Sequence, residues 1–259
     1  MSRLSVITLT MNEAANIAEC LESVRWADEI IVVDSGSTDG TLETARRYTG
    51  KIFTIVWPGY GAARNYALSQ ATGEWILWLD ADERVTPELG EELRSILRTG
   101  DSGVAGYAIA RRAYFLGRWI QHCGWYPSRV VRLFRKDRGR FTETRVHERL
   151  EIAGVIRETR HDLLHFTDPT LHHYLAKFNR YTTLGAEDLH AAGRPFRLSD
   201  LLVRPLFQFT KMYLLRGGIL DGLQGFLLSV LSSVYTFTKY AKLWEIERDP
   251  GRKGESHGG

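Results

Sequence analysis

The stretch that decides the fold is Glu74–Val85, "EWILWLDADERV". Five large apolar side chains, Trp75 to Leu79, run without a break into Asp80, Asp82 and Glu83. An apolar run of that length predicts a strand buried on both faces, as in the middle of a parallel sheet. Three carboxylates at the tip of such a strand need a chemical reason.

Upstream, "LSVITLT" (4–10) predicts another buried strand, and "NEAANIAECLESVRWA" (12–27) a helix with Ile17, Leu21 and Val24 on one face. Ile30–Val33 predicts a strand that ends at Asp34 in a Ser/Gly loop, where Thr38 or Asp39 can cap the helix "TLETARRY". "KIFTIVW" (51–57) predicts a further strand and "GAARNYALSQAT" (61–72) a further helix stopped by Gly73. Strand and helix alternating at this cadence predict an α/β fold with parallel pairing. In such sheets ligands bind beyond the carboxyl ends of the strands. The segments Thr10–Asn12–Glu13, Asp34–Ser35 and Asp80–Asp82 therefore converge on one sheet edge.

After residue 100 the alternation fades. "GYAIARRAYFLGRWI" (106–120) and "SRVVRLFRK" (128–136) predict longer, antiparallel strands rich in arginine. Helix returns near Thr170, and "GLQGFLLSVLSSVYTFTKYAKLWEIE" (222–247) is the longest helical segment. The expected organisation is an alternating α/β half over 1–100, a strand-rich half over 101–170, a helical region over 171–248 and a disordered polar tail over 249–259.

The 259 residues, 44% apolar and 25% charged, have the composition of a globular protein. A net charge of +3 gives no general polyelectrolyte argument for nucleic acid. Cys20 and Cys123 form neither a disulfide framework nor a zinc pattern, and are expected to be reduced thiols in the cytoplasm. The apolar N-terminal segment is too brief for a signal peptide, which agrees with an intracellular expectation.

Two aspartates at i and i+2 on a strand end are expected to put their carboxylates on one side of the pleat, a pair suited to Mg²⁺ or Mn²⁺. A metal held there neutralises a diphosphate leaving group. A solvated turn capping the helix near "TPELGEELRSIL" is the plainer reading, but it leaves the two other polar strand ends unexplained. Asp34 closes the second strand of the sheet, where an acid often bonds the base or ribose of a nucleotide.

The segments "SVITLTMNEAANIAECLESVRWADEIIVVDSGSTDGT" (5–41) and "PGYGAARNYALSQATGEWILWLDADERV" (58–85) resemble family 2 glycosyltransferases. "RVVRLFRK", "RVHERL", "LLHFT", "FNRYTTLGA" and "LLRGGILDGLQGF" resemble the bacterial branch that adds sugars to the lipopolysaccharide core, the heptosyl glucosyltransferase type. The resemblance implies a GT-A fold, a Rossmann-like mixed sheet flanked by helices with a C-terminal helical extension, in which 1–100 would be the nucleotide-sugar-binding half and 101–170 the acceptor-binding half. It also implies a nucleotide-diphospho-sugar donor, most simply a UDP-sugar, and a divalent metal. Thr8, Thr10, Asn12, Glu13, Asp34 and Ser35 would line the nucleoside pocket, with Arg64 and Asn65 near the nucleotide or donor sugar. Asp82 would be the direct metal ligand, with Asp80 nearer the ribose and metal-bound water. By the same resemblance Arg132 lies close to the site.

An inverting transfer needs a base for the acceptor hydroxyl. "RVHERL" (145–150) offers Glu148, with His147 beside it, while Glu143 is the fallback and a salt bridge to Arg145 or Arg149 the competing role. His165 in "LLHFT" is read either as a third metal ligand or as a buried histidine bonded to a carbonyl.

Arg111, Arg112, Arg118, Arg129, Arg132, Arg135, Lys136, Arg138 and Arg140 predict a cationic middle suited to a phosphorylated or carboxylated glycan or to anionic headgroups. Interrupted by Asp221, Gln224 and serines, the long C-terminal helix is read as too short in apolar span to cross a membrane. "RPLFQFTKMYLLRGG" (204–218) mixes aromatics with cations, which suits either a bilayer interface or packing on the rest of the protein. The expected activity is therefore transfer of a hexose, glucose first, to a lipopolysaccharide core or other envelope glycan, in the cytoplasm and at the inner face of the membrane. A sugar nucleotidyl- or phosphoryltransferase would use the same metal logic, but no GxxxxGK[ST] loop is present. A catalytically inactive glycan- or lipid-binding module would have no need of the Asp80–Asp82 pair.

Overall fold

The structure is a computed structural model that describes residues 2–100, 103–142 and 149–248. The N-terminal elements alternate as the sequence predicts: β1 (Leu4–Thr10), α1 (Ile17–Ser23), β2 (Glu29–Asp34), α2 (Thr41–Ala45), β3 (Ile52–Thr54), α3 (Tyr60–Gln70), β4 (Trp75–Asp80), β5 (Glu83–Val85) and α4 (Pro87–Thr99). Then come β6 (Val104–Phe115), β7 (Arg118–Trp119), β8 (Ser128–Arg135), β9 (Gly139–Phe141), β10 (Leu150–Ile152), β11 (Val155–Glu158) and β12 (Leu163–Asp168). Three long helices close the chain: α5 (Leu171–Ala191), α6 (Leu198–Thr210) and α7 (Gly222–Arg248).

Two compact units emerge, one of residues 1–113 and 127–167, the other of 114–126 and 168–259. In the first, the sheet order begins β3-β2-β1-β4, all parallel, with Thr8 of β1 opposite Val32 on one side and Leu79 on the other. Past β4 the pairing turns antiparallel: β4 with β8, β8 with β6, and β5 with β12. The sheet is thus mixed, parallel where crossover helices connect the strands and mainly antiparallel where the arginine-rich segments lie, with β11 joining β6 in parallel.

The period-2 alternation of β-strands divides the core between the two faces of the sheet. Trp75, Leu77 and Leu79 of β4 pack with Ile17 and Leu21 of α1 and Leu89, Leu93 and Leu97 of α4. Ile76 and Trp78 face the other side, with Ala67 of α3, Phe134 and Phe141. Truncating one of these leucines to alanine costs ~2–5 kcal/mol. The start of α4 is set locally: the Thr86 hydroxyl accepts from the Leu89 N–H at 3.2 Å, and Pro87 occupies the first turn. Gly73 allows a close approach, since a Cβ there would lie 2.6 Å from the Ser5 nitrogen.

In the second unit, Phe115, Ile120, Cys123, Met212 and Leu228 form one cluster, and Ala186, Tyr240 and Leu243 another. Buried Asp221 ties the 120–126 loop to the start of α7, accepting from the N–H groups of Gln121 and His122 at 3.2 and 2.9 Å. The segment Gly218–Arg248 is long and apolar enough to cross a membrane by length and composition, with 28% of its apolar window buried. The reading that it falls short is corrected here: Asp221 sits at the helix start, and the serines further along depress the hydropathy only weakly.

Candidate active site

Everything described in this section lies in the first unit. The β4 strand ends at Asp80, and residues 81 and 82 form a turn into β5. The same-side pleat argument therefore stops at Asp80, and the two aspartates take different partners.

Asp80 is gripped by two guanidinium groups. Arg64, on the first turns of α3, donates from Nη2 to Oδ1 at 3.2 Å; Arg132, on β8, donates from Nη2 to Oδ2 at 2.8 Å. Both cations stack on Trp78, their Cζ atoms 4.3 and 3.6 Å from a ring of the indole. The indole N–H donates to the Val131 carbonyl at 2.7 Å, which fixes the plane of that platform. Arg132 is only 1% exposed, and its Nη2 also donates to Glu83, which is fully buried. Glu83 in turn accepts the Asp80 N–H at 3.1 Å and lies 3.9 Å from Arg111.

Burial pushes the Asp80 carboxyl up, but the charges of Arg132 and Arg64 outweigh it and hold the group well below the usual carboxylate range. At Glu83 burial prevails and raises the carboxyl against the pull of Arg132, with Asp80 adding to the rise. Beneath the turn, the Cys20 thiol reaches the Asp80 carbonyl at 3.6 Å, and burial pushes that thiol up, so it is an inert packing group.

Asp82 faces elsewhere. Register between β5 and β12 puts His165 opposite Glu83, and the Phe166 N–H donates to the Asp82 carbonyl at 2.9 Å. The His165 Nε2 then lies 3.4 Å from Asp82 Oδ2. Adjacent ligands of one octahedral ion at ~2.1 Å are about 3 Å apart, so this pair fits two positions on a single divalent cation. No cluster of three or more His, Cys, Asp or Glu side chains suited to a metal occurs among the described residues. Two protein ligands are nonetheless enough where substrate phosphates and water supply the remainder.

The residues expected to line a nucleoside pocket gather at the carboxyl ends of β1 and β2. Among the described residues the buried Thr8 and Thr10 hydroxyls have no hydrogen-bond partner, an arrangement that a ligand would relieve. Asn12, at φ 56°, accepts the Thr38 N–H at 2.8 Å, and its own N–H donates to Ser37. The Glu13 N–H donates to Thr41, and the Ser35 N–H to the Thr10 carbonyl at 3.1 Å. Asp34 is fully buried and holds its own loop: Oδ2 accepts the Gly36 and Ser37 N–H groups, each at 2.9 Å, and Oδ1 the Ser37 hydroxyl. Asn65 exchanges hydrogen bonds with the Phe141 backbone at 2.8 and 3.1 Å, which ties α3 to β9. A cavity of about 320 Å³ opens beside Arg64, lined also by Trp78, Val130, Val131, Phe141, Arg149 and Leu150. Glu143, His147 and Glu148 lie outside the described residues.

The expected cationic rim is largely neutralised. Arg132 is buried on carboxylates, while Arg112 pairs with Asp162 at 2.7 Å, Arg129 with Glu158 at 3.1 Å and Arg135 with Asp137 at 3.4 Å. Sequence reasoning gave Glu83 and Trp78 no role. The signal for Glu83 was the third acid of "DADE": an arginine in an otherwise apolar strand such as "RVVRLF" needs a buried counter-charge.

A mixed sheet with an acidic turn at the carboxyl end of its central strand, clamped by arginines beside a cavity, agrees with the GT-A fold that the sequence resemblance implies. Residues 5–160 match the model of Glycosyl transferase family 2, and the chain belongs to that family. The lipopolysaccharide core biosynthesis glycosyltransferase LpsC of Rhizobium meliloti is 33% identical over 249 residues, covering 93% of this chain and 92% of LpsC. An uncharacterized glycosyltransferase of Rickettsia typhi is 27% identical over 95% of this chain and 88% of its own. The mannosyltransferase PcManGT of Pyrobaculum calidifontis, solved with GDP-Man and Mn²⁺, shares the fold at a TM-score of 0.56 and 19% identity, over 94% of this chain and 87% of its own.

Proposed function

We propose that this glycosyltransferase moves a hexose, glucose first among candidates, from a UDP-sugar to a lipopolysaccharide core or related envelope glycan, with inversion at the anomeric carbon. One observation carries the reading: Arg64 and Arg132 each bond an oxygen of Asp80, while Asp82 and His165 lie 3.4 Å apart, a pair able to hold a cation. Likeness to LpsC along nearly the whole chain supports the acceptor class.

Asp82 and His165 would hold Mn²⁺ or Mg²⁺, and the ion would supply countercharge to the diphosphate as it leaves. Asp80, fixed by its two arginines, serves as an oriented acceptor toward the ribose and metal-bound water. The unpartnered hydroxyls of Thr8 and Thr10 and the loop held by Asp34 form the nucleoside end. The cavity beside Arg64 and Arg149 offers cations and aromatic faces for an anionic, sugar-bearing ligand. Glu148, with His147 beside it, is the proposed base for the acceptor hydroxyl. The proposed setting is the cytoplasmic face of the inner membrane.

The test is UDP release from UDP-glucose in the presence of lipopolysaccharide core acceptor and Mn²⁺. Acceptor-dependent release that disappears in Asp82→Ala supports the reading. A panel of nucleotide-sugars giving no release with any acceptor would remove it.

A further inference from the structure

We propose that the second unit docks on an anionic phospholipid bilayer through the outer face of α6 and the two turns that follow it. This deepens only the membrane-contact part of the proposed function and is independent of which sugar is transferred.

Along α6 the exposed large side chains are Leu198, Leu202, Val203, Leu206 and Phe207. Their spacing of four, one, three and one places them on one helix face. Asp200, Pro205 and, past the helix end, Met212 point inward. A surface helix ordinarily turns its polar side outward. Here the outer side is the apolar one. The stripe continues through Leu214 and Leu215 of the π turn at Lys211–Leu215, then Ile219 and Leu220 of the following 3-10 turn. Leu206 is 68% exposed and Leu215 72%, so these side chains are neither tucked under nor covered by neighbours. An exposed apolar surface of this continuity marks an interaction site.

Charge selects the occupant. From Arg194 to Leu243 the chain carries seven basic side chains and two carboxylates, Asp200 and Asp221. Both acids are buried and engaged: Asp200 by Arg204 and Arg194, Asp221 by His122 and two backbone amides. No carboxylate of this stretch therefore reaches the surface, while Arg197, Arg204 and Arg216 are exposed beside the leucines. The Thr210 hydroxyl within the stripe is turned back to the Leu206 carbonyl of its own helix at 2.9 Å. Apart from Glu247 of α7, which accepts the Phe196 N–H at 2.8 Å just ahead of α6, the charges beside this face are cations, which matches the acyl region and negative headgroups of a bilayer. Against a second copy, a two-fold contact through this face would set cation against cation.

The experiment is flotation of the purified full chain with vesicles of phosphatidylcholine alone and of phosphatidylcholine mixed with phosphatidylglycerol. The expected result is co-flotation with the anionic vesicles only, weakened by added salt. Leu206→Glu/Phe207→Glu, and separately Leu215→Glu, should each lower the bound fraction about tenfold or more while the melting temperature stays near wild type. Failure to float, or variants that float as well as wild type, would overturn the proposal. So would resistance of the bound protein to alkaline carbonate, which would mean insertion, or a dimer in light scattering that the variants dissolve. UDP release measured on the same samples keeps the two readings apart: flotation without turnover leaves this proposal standing and removes the chemistry.

Discussion

Arg132 reaches two carboxylates with one nitrogen: its Nη2 donates to Asp80 at 2.8 Å and also to Glu83, while its guanidinium plane lies 3.6 Å from a Trp78 ring. Of the three groups, Asp80 alone is partly exposed, so a buried pair carries the one acid that faces the site. Removing the cation strands Glu83 in a dry interior and leaves Asp80 to Arg64. Arg132→Met should destabilise the protein by ~3–5 kcal/mol in denaturant titration. Arg132→Met/Glu83→Gln should recover part of that loss, because the stranded charge goes with it. A double variant less stable than the sum of the singles would refute the pairing.

Glu83 has no direct path to substrate in this geometry, so its effect on turnover should pass through Asp80. Glu83→Gln keeps the shape and a hydrogen-bond acceptor but drops the charge. The expected pattern is a fall in kcat with little change in KM for UDP-sugar, measured by steady-state nucleotide release. A rise in KM at constant kcat would instead put Glu83 in donor binding.

His165 and Asp82 sit 3.4 Å apart across the β5–β12 pairing. Loss of even a supporting group at a metal site costs ~10–100-fold in affinity, so His165→Ala should raise the Mn²⁺ concentration for half-maximal activity by at least that factor. An unchanged Mn²⁺ dependence would return His165 to a packing role.

At the opposite end of the sheet Glu29 makes a pH prediction. Burial pushes its carboxyl up, but hydrogen bonds from Lys51, Ser5 and Thr72 overcome this and hold it at about 2, against an ordinary 4.5. The folded state binds this proton less readily than the unfolded chain. Its contribution, on the order of 3 kcal/mol, is therefore fully present above the ordinary value and fades as pH falls toward the folded one. Glu29→Gln should flatten the acid limb of stability against pH over that window by about one proton. An unaltered slope would show that Glu29 does not govern the acid limb.

Much of this was readable beforehand, for physical reasons that differ by region. Three of the four parallel strands announce themselves because strands buried on both faces must be apolar throughout, as in "WILWL" and "IIVV"; β3, at the sheet edge and partly exposed, gives a weaker pattern. The rule that ligands sit at strand carboxyl ends then located Asp80 and Asp82. What local spacing left undecided was everything set by non-local register: whether His165 stands beside the acidic turn or packs in the core, and which acids Arg132 meets. His165 meets Asp82 only through the β5–β12 pairing, and Arg132 meets Glu83 only because β8 joins β4 antiparallel. Local spacing carries neither fact. Asp34, expected beside a nucleotide, also accepts from the loop at Gly36 and Ser37, a use open to any aspartate before a glycine turn that the sequence reading did not include. In the second unit the apolar pattern of α6 was visible, but pattern alone does not tell an inward stripe from an outward one.

The central claim is that Asp82, not the arginine-bound Asp80, carries the cation. Electron paramagnetic resonance of Mn²⁺ titrated with the full chain and UDP measures this directly. Wild type should take up Mn²⁺ in a UDP-dependent manner, and Asp82→Ala should leave the ion free while the protein stays folded. Undiminished Mn²⁺ uptake by Asp82→Ala would contradict the account.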